Sequence, residues 1–479
     1  MKGSEKNRID ALVEWAQQNG AKLHPLVEVY HDDVTKFSLR VKPSATHGLD
    51  PGFVAVSCPL STTISYLNAL IDGPITLDLL PSTYDPEAAA FPPCFMASIP
   101  PHVIGRFFLI NEYLKGADSF WAPYIATLPQ PEHISSWMLP AFWPEDDLDF
   151  LEGTNAYVAV GEIQANVKRE FKQARKVLKE DDFPNWQDYT RLLYNWAFSI
   201  FTSRSFRPSL MVSQSAQGQA LRILPPGCEI DDFSILQPLF DIGNHSMTSK
   251  YSWKTDSDPP HSSCQLICED AYRPGDQVYN NYGRKTNSEL LLAYGFILPE
   301  TEELHNDYVH MRKREQDAAS SSSADKPKDF LISLRPFDHP SSMAGRSRPG
   351  VQSLSQLHRL SFFVHFEPSL IWDLAGALST PEEDQALETP VAHAPGGSVG
   401  LTDLHPGLCE LVERIKLMLS AKLRYDYQQL EETDIIEDDG EDGNNATAAQ
   451  PKNRNQQLAL EYRGQCKKVL LAAMQALDN

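Results

Sequence analysis

Pro238-Leu-Phe-Asp-Ile-Gly-Asn-His-Ser246 is the stretch on which the interpretation of this chain rests, and a second stretch, Tyr279-Asn-Asn-Tyr-Gly283, completes it. The first stretch follows apolar residues that predict a strand, and it ends in a turn crowded with polar side chains. The second stretch follows a turn signal, Pro274-Gly275-Asp276.

A short helix is predicted to follow these stretches, from Asn287 to a C-terminal cap at Gly295. Asn-His followed by Tyr282-Gly283 and Tyr294-Gly295, with the tyrosines twelve positions apart, resembles the signature of SET-domain protein methyltransferases. The variant resembled is the Rubisco large-subunit methyltransferase-like class, which includes fungal ribosomal-protein lysine methyltransferases. The resemblance implies an α+β fold with a β-rich, knotted SET domain, a helical insertion and an all-α C-terminal substrate-binding domain. The knotted core is expected to bring residues 241–246 and 279–283 together.

The composition of the chain is that of a globular protein with two or three domains, because it has 479 residues of which 42% are hydrophobic. No apolar run approaches 18 residues, so no membrane span is expected. The N-terminal residues lack the apolar segment of a secretory signal, and seven scattered cysteines are typical of a reducing compartment. A cytoplasmic and/or nuclear protein is therefore expected.

The formal net charge of −22 disfavours tight nucleic-acid binding, which needs a basic surface. An acidic surface either attracts a basic protein substrate or serves solubility. Eight of the acidic residues lie between Glu431 and Asp442, in a segment predicted to be a disordered insert.

Local patterns predict the elements of the first third of the chain. Apolar residues at helical spacing predict a helix that ends near Gly20, and alternation predicts strands at 37–41 and 53–58. Relatives have a Gly-x-Gly loop between these strands, whereas this chain keeps only Gly48 before a Pro-Gly turn, so no donor contact is assigned there. Cys264 and Cys268 are predicted to lie on one face of a strand, as packed thiols rather than zinc ligands.

Residues 66–199 are predicted to be mainly helical and resemble the insertion inside the SET domain of this class. Val167, Phe171, Ala174 and Leu178 recur at helical spacing with Lys and Arg on the opposite face, which predicts a surface helix with a solvated basic stripe. Trp121, in the segment Phe120-Trp-Ala-Pro-Tyr-Ile125, either lines a substrate cleft or belongs to the core.

Thr202-Ser-Arg-Ser-Phe206 matches the Ser-Arg-x-Phe motif of the class. The resemblance places Arg204 near the carboxylate of the methyl donor and near the substrate, with Ser203 beside the substrate. A planar guanidinium suits a carboxylate because it offers parallel donors. Residues 214–219 are predicted to be a polar loop.

The predicted domains are a SET domain at 1–310, a flexible loop at 311–330 and a helical substrate-binding domain at 331–479. The helical insertion spans about 66–199, and the acidic disordered insert spans about 430–452. Residues 404–427 and 458–477 are predicted to be largely helical.

The resemblance implies transfer of a methyl group from S-adenosyl-L-methionine to a lysine amine of a protein, without a metal. Free lysine has a pKa of about 10.4, so the site must favour the neutral amine. Tyr282 is the predicted catalytic residue. The predicted donor site consists of Arg204, Asn244, His245, Tyr282 and Tyr294. The predicted substrate site consists of Ser203, Asp241 and Trp121, with Asp241 meeting the incoming ammonium.

Two alternatives remain open at this point. Some SET relatives methylate histidine, whose imidazole needs no comparable deprotonation. The second alternative is a protein-binding scaffold without catalysis, for which the missing second glycine near Gly48 is the best evidence. The expected partner is a protein that carries the target residue, ribosomal or nuclear, with no nucleic acid and no membrane, and the enzyme is expected to be a monomer.

Overall fold

The computed structural model describes residues 3–32, 35–75, 85–133, 139–256, 263–312, 328–346, 356–387, 404–438, 446–448 and 450–478. The chain forms two compact units, the first made of Met1–Trp137 and Ile163–Gly283, and the second of Met138–Glu162 and Arg284–Asn479. This division differs from the predicted domains, whose boundaries stay a prediction. Most of the predicted loop at 311–330, and residues 439–445 and 449 of the predicted acidic insert, lie outside the described residues.

Helices and strands occur in separate runs along the chain, in an α+β arrangement. The helices are α1 (Gly3–Gln18), α2 (Tyr66–Ala69), α3 (Pro93–Ser98), α4 (Pro101–Lys115), α5 (Ala122–Ile125), α6 (Glu145–Leu148), α7 (Asn155–Glu180), α8 (Arg191–Arg204), α9 (Pro208–Met211), α10 (Gln214–Ile223), α11 (Asn287–Tyr294), α12 (Met343–Arg346), α13 (Pro368–Leu378), α14 (Pro381–Leu387), α15 (Cys409–Glu432) and α16 (Arg454–Asp478).

The strands are short, and most of them belong to the first unit. They are β1 (Lys22–Leu23), β2 (Val27–Asp32), β3 (Lys36–Val41), β4 (Phe53–Pro59), β5 (Ser205–Phe206), β6 (Ile235–Leu236), β7 (Tyr251–Asp256), β8 (Ser263–Cys268), β9 (Gln277–Val278), β10 (Tyr308–Arg312), β11 (Asp329–Ser333), β12 (Ile436–Asp438) and β13 (Ala446–Ala448).

Within the described residues, the β part of the first unit consists of three small sheets: β1-β4-β8-β7, β2-β3-β9 and β5-β6. The two strands predicted between residues 37 and 58 are confirmed as β3 and β4. Cys264 and Cys268 are both buried on one face of β8, as the alternation predicted, and Cys264 pairs with Cys58 across the antiparallel ladder.

Helix α8 delivers the Ser-Arg motif to the sheets. It starts at Thr190, whose hydroxyl accepts the Leu193 N–H as an N-cap, and it ends at Arg204. Trp196 on its buried face is fully enclosed, and its indole N–H donates to the Pro129 carbonyl at 2.6 Å. Packing of Trp196 therefore fixes the middle of α8, and Arg204 is the last residue of that helix.

The second unit is mainly helical, as predicted, and also contains the β10–β11 and β12–β13 pairs. Its apolar core is built largely by α13, α15 and α16. The start of α16 is held by the buried Asp147 carboxylate, which accepts from the side-chain amides of Asn453, Asn455 and Gln456 at 2.8–2.9 Å. A carboxylate with three donors at a helix N-terminus also complements the helix dipole.

Helix α11 shows how local signals fix an element. The Thr286 hydroxyl accepts the Glu289 N–H, the Glu289 carboxylate accepts the Thr286 N–H, and together they form a capping box. Gly295 ends the helix at φ +72°, as predicted.

Two local predictions are wrong. Residues 214–219 form the start of helix α10 and not a polar loop. The strand predicted before the Asp241 turn is only two residues long, because Leu239 takes a positive φ and residues 240–242 form a 3₁₀ turn. The polar side chains at 214–219 suggested a loop, but these residues are compatible with a helical backbone.

None of the helices in the described part of the chain is long and apolar enough to cross a membrane.

Gly48 lies where two backbones approach closely. Leu49 and Tyr272 exchange two backbone hydrogen bonds, of 2.8 and 3.0 Å, and a Cβ at position 48 would lie 2.4 Å from the Tyr272 carbonyl oxygen. The glycine therefore serves chain packing at this place.

We predict that Gly48→Ala destabilises the protein by about 1–3 kcal/mol, because the added methyl overpacks the backbone of Tyr272. Urea denaturation measures the change. The matched control is Gly161→Ala, where the same methyl enters open space on α7 and should stabilise by about 0.4–1 kcal/mol. Equal stability of Gly48→Ala and wild type would contradict this interpretation of the glycine.

Candidate active site

The two motif stretches lie side by side in the first unit, as expected. His245 and Asn280 form a parallel bridge, in which the Asn280 N–H donates to the Asn244 carbonyl at 2.8 Å and the Ser246 N–H donates to the Asn280 carbonyl at 2.9 Å. Gly243 permits the approach, since a Cβ there would lie 3.2 Å from the Cβ of Asn280. The bridge fixes the register of all side chains that follow.

The turn that presents Asp241 is strained. Leu239 has φ +67° and ψ −37° although it is a buried, branched residue. Such a conformation costs about 1–3 kcal/mol and persists only where the surrounding structure imposes it, often at functional sites. Here it turns the chain sharply from β6 into the 3₁₀ turn and buries the Asp241 side chain.

Asp241 is the centre of a buried polar cluster. Its Oδ2 accepts from the Tyr124 hydroxyl at 2.9 Å and from Nη1 of Arg204 at 3.3 Å. Its Oδ1 is also buried and accepts no hydrogen bond from any described residue. A buried carboxylate oxygen without a donor is costly, so this atom points to a ligand that donates to it.

The charges of this cluster oppose the effect of burial. Burial raises the pKa of Asp241, while the Arg204 guanidinium and the Tyr124 hydroxyl act in the opposite direction. Burial acts to lower the pKa of Arg204, and the negative charge of Asp241 outweighs it, so that the pKa of Arg204 is raised. Burial and the adjacent Asp241 charge raise the pKa of Tyr124 well above its ordinary value, so Tyr124 donates as a neutral phenol.

Tyr282 and His245 form a second cluster next to the first. The Tyr282 hydroxyl donates to the Gly243 carbonyl at 3.0 Å, and the Tyr282 N–H donates to Nδ1 of His245 at 3.0 Å. The two rings stack with centroids 5.0 Å apart. Because Nδ1 accepts a backbone N–H, the neutral imidazole carries its proton on Nε2.

The predicted contacts of Asn244 and Ser203 are directed elsewhere in this structure. The Asn244 side-chain amide donates to the Thr35 hydroxyl at 2.8 Å. The backbone carbonyl of Asn244 accepts the Asn280 N–H. The Ser203 hydroxyl donates to the Ser199 carbonyl one turn earlier in α8 at 2.8 Å. Both residues flank the Asp241 cluster along the chain, and their ligand contacts stay predictions.

Trp121 has the surroundings of a core residue, which is the alternative that the sequence left open. It is 1% exposed, its indole N–H donates to the Thr62 carbonyl at 3.0 Å, and its ring packs on Phe108 and Phe120. Tyr294 lies in the second unit, at the end of α11, with its ring 6.2 Å from that of Phe296. Their predicted roles in binding stay predictions.

Tyr124 is the site residue that the sequence did not reveal. It lies in the same 120–125 segment as Trp121, on the short helix α5, and its side chain is 1% exposed. The available signal was a tyrosine in an apolar helical turn, which is typical of a core residue. Asn280 is a second such residue, because its buried Nδ2 has no acceptor among the described residues.

Among the described residues, no group of three or more His, Cys, Asp and Glu side chains is placed to hold a metal ion. The donors and acceptors of the site are an aspartate, an arginine, a histidine and two tyrosines. This set suits organic ligands with charged ends, because it offers a cation, an anion and stacked rings together.

We predict that Tyr124→Phe destabilises the protein by about 1–3 kcal/mol at pH 7, because Asp241 loses one of its two donors. The folded-state pKa of Asp241 is raised, so its ionisation costs stability as pH rises from its ordinary value through the folded value. Loss of the hydroxyl raises that pKa further. The difference between variant and wild type should therefore shrink as pH is lowered from about 7 towards 4, measured by urea denaturation.

Tyr113→Phe is the matched control, because the Tyr113 hydroxyl donates to Glu132, an exposed carboxylate, at 2.9 Å. Its loss should change stability by less than about 0.5 kcal/mol at either pH. Identical losses for the two variants, or a Tyr124→Phe loss that grows on acidification, would contradict the assigned role of Tyr124.

Comparison with known sequences supports the resemblance. A ribosomal lysine N-methyltransferase of Schizosaccharomyces pombe is 32% identical over 294 residues, which cover 61% of this chain and 46% of that protein. The human actin-histidine N-methyltransferase is 24% identical over 305 residues, or 62% of this chain and 43% of that protein. The chain therefore spans less than half the length of these curated relatives. No family model matches the sequence.

Solved structures superpose on nearly the whole chain. The SET domain of LSMT bound to lysine and AdoHcy superposes with a TM-score of 0.59 and 17% identity, over 99% of this chain and 91% of that chain. Rubisco LSMT bound to AdoMet superposes with a TM-score of 0.55 and 17% identity, over 98% of this chain and 91% of that chain. This chain therefore has the α+β fold of the Rubisco LSMT SET-domain structures.

Proposed function

We propose that this protein is an S-adenosyl-L-methionine-dependent methyltransferase that modifies lysine side chains of a protein substrate. The fold of Rubisco LSMT over almost the whole chain supports the proposal, as does the 32% identity with a ribosomal lysine N-methyltransferase. The observation that carries it is the buried Oδ1 of Asp241, an acceptor beside Arg204 that has no donor among the residues which the structure describes. A lysine ammonium is a ligand that supplies such a donor.

The residues of the first unit fit a methyl donor with an amino-acid end. Arg204 uses Nη1 on Asp241, and a quarter of its side chain remains exposed, so other N–H groups of the guanidinium can meet a carboxylate. Asn244 and His245 follow Asp241 in the chain and take part in the bridge to Asn280. S-adenosyl-L-methionine, when bound, supplies an electrophilic methyl group on a positive sulfonium.

Tyr282 orients the acceptor amine in this proposal. Its hydroxyl is held on the Gly243 carbonyl and its ring is stacked on His245, so its position is fixed before any ligand binds. The Gly243 carbonyl and the tyrosine oxygen are both hydrogen-bond acceptors for an amine N–H. A group that is preorganised in this way aligns the reactants without reorganisation during the reaction.

Asp241 binds the acceptor without stabilising its proton strongly. A lone carboxylate would raise the pKa of a nearby lysine, whereas methyl transfer needs the neutral amine. The ion pair with Arg204 has no net charge, and Tyr124 further reduces the demand of Asp241 for a proton. The cluster therefore binds the incoming ammonium through a hydrogen bond to Oδ1, and its lack of net charge lets the lysine lose that proton before methyl transfer.

Histidine methylation is the second candidate, because the actin-histidine N-methyltransferases are also similar to this chain. A neutral imidazole brings no positive charge to Asp241, so a buried carboxylate favours lysine. A ribosomal protein is the proposed substrate class, on the strength of the relative that acts on ribosomal lysine. The helical second unit is proposed to contribute to binding the intact substrate protein.

The proposed activity predicts incorporation of label from methyl-labelled S-adenosyl-L-methionine into a protein of ribosome-rich lysate. Mass spectrometry of the labelled peptide should identify methyllysine. Label on histidine would support the second candidate, and no label with donor binding absent by calorimetry would favour a non-catalytic scaffold. Asn244→Ala is expected to weaken donor binding in the same calorimetric measurement.

We further predict that Tyr282→Phe lowers kcat by about 10²-fold or more, because it removes one contact that aligns the transition state. Donor affinity should change by less than a few-fold, since the ring and its stack on His245 remain. Tyr279→Phe is the matched control on the same segment and should keep near-normal turnover. Unchanged turnover of Tyr282→Phe would show that another group aligns the amine.

A further inference from the structure

Helix α7 carries a row of positive charge in its first-unit part. The basic side chains of this row lie along twelve residues: Lys168, Arg169, Lys172, Arg175, Lys176 and Lys179. At about 100° of rotation per residue they occupy an arc of about 120°, and the row is about 16 Å long. The opposite face is buried, as the sequence predicted from its apolar spacing.

This density of charge is unusual in an acidic chain. The average of 42 Lys and Arg in 479 residues would put about one in a segment of twelve, and the net charge is −22. Five of the six side chains are exposed, and Arg175 is half-buried. The row is therefore a local reversal of the sign of the surface.

Acidic neighbours compensate little of this charge. Lys176 has an exposed ion pair with Glu180 at 3.6 Å, and within the described residues neither Lys168 nor Lys172 has an acidic partner within 4 Å. Glu170, the one acid inside the row, faces inward and accepts from Arg106 at 2.7 Å. The row therefore presents a positive potential to the solvent.

Trp186 organises one end of the row. The Arg175 guanidinium lies 4.8 Å from the centroid of its ring and the Lys179 ammonium lies 5.5 Å from it. Cation–π contacts hold long side chains in place and so reduce the entropy lost when they bind an anion. This end of the row is preorganised.

We propose that the basic row of α7 binds the phosphate backbone of RNA. A double-stranded nucleic acid carries one negative charge per about 1.7 Å of axis, so about 16 Å of duplex offers more phosphates than the row has cations. A basic substrate protein would be repelled by the same row. The inference rests on the proposed function, because a ribosomal substrate is presented on a particle rich in RNA.

The proposal departs from the expectation that this protein has no nucleic-acid partner. That expectation follows from the net charge of the whole chain, whereas phosphate contact is decided by the charge within about one Debye length, about 8–10 Å. The docking surface would hold the enzyme on the particle while the site in the first unit finds its lysine. It adds binding energy that a free peptide does not use.

The test measures binding of the full-length protein to a fluorescein-labelled RNA duplex of about 20 base pairs between about 25 and 200 mM KCl. The slope of log K against log salt should be about −5, since each phosphate contact contributes about −0.9 and the row offers six cations. The triple variant Lys168→Gln/Lys172→Gln/Lys176→Gln should flatten that slope by about 2–3. Glutamine keeps the helix propensity of these positions, and a circular-dichroism melt checks the fold.

The matched control is Lys6→Gln/Lys22→Gln/Lys254→Gln, which makes the same change in net charge at scattered exposed positions. Its slope should stay within experimental error of wild type. Equal slopes for the two triple variants would overturn the proposal. Tighter binding of polyglutamate than of the duplex at equal charge concentration would also overturn it, in favour of an acidic polypeptide partner.

Methylation assays separate this inference from the proposed function. The row variant should lose activity on intact ribosomal particles by about tenfold and keep full activity on a short lysine peptide, as expected for remote binding energy. Equal activity of variant and wild type on particles would refute a docking role. Wild-type protein that binds the duplex with the expected slope but methylates no substrate would refute the proposed function alone.

Discussion

The hydrogen bonds of Tyr124 and Arg204 to one oxygen of Asp241 are the interaction on which the candidate site depends. A buried carboxylate without partners would cost several kcal/mol or be neutralised by a proton. Two donors on Oδ2 stabilise it, while Oδ1 accepts no hydrogen bond from the described residues. Because Oδ1 has no donor among these residues, a ligand can donate a hydrogen bond to the Asp241 carboxylate at that oxygen.

Three distant parts of the first unit must be correctly folded for this contact to form. Tyr124 comes from the helical insertion, Arg204 from the end of α8, and Asp241 from a strained turn after β6. The strain at Leu239 and the unpaired oxygen are both unfavourable in the free protein. They are offset by the packing of α8 and by the bridge between residues 244–246 and Asn280. Local strain of this kind, offset by favourable packing elsewhere, is typical of binding sites.

Much of the fold follows from local signals in the sequence. The alternation in β3 and β4, the capping residues of α11 and the cysteine face of β8 each depend on neighbours within a few residues. The class signature includes His245 and Tyr282, and Asp241 lies four residues before His245; the structure places all three on adjoining turns of one unit. Residues that belong to a short motif can be found from the sequence before the fold is known.

The remaining features depend on contacts between distant residues. Tyr124 and Asp241 are 117 positions apart, and nothing in the segment around Tyr124 distinguishes it from a core tyrosine. Helix α10 was hidden by polar side chains, and Trp121 shares the core environment that its neighbours Phe108 and Phe120 create. Tertiary packing decides these cases, and it overrides local propensity.

The central claim is that Oδ1 of Asp241 receives the ammonium of the acceptor lysine. Isothermal titration calorimetry with S-adenosylhomocysteine present can compare a substrate peptide that contains lysine with one that contains norleucine, which has a similar chain but no ammonium. The wild-type protein should prefer lysine by about tenfold, the effect of one charge-assisted hydrogen bond, and Asp241→Asn should abolish that preference. A preference that survives in Asp241→Asn, or equal affinity of the wild-type protein for both peptides, would contradict the account.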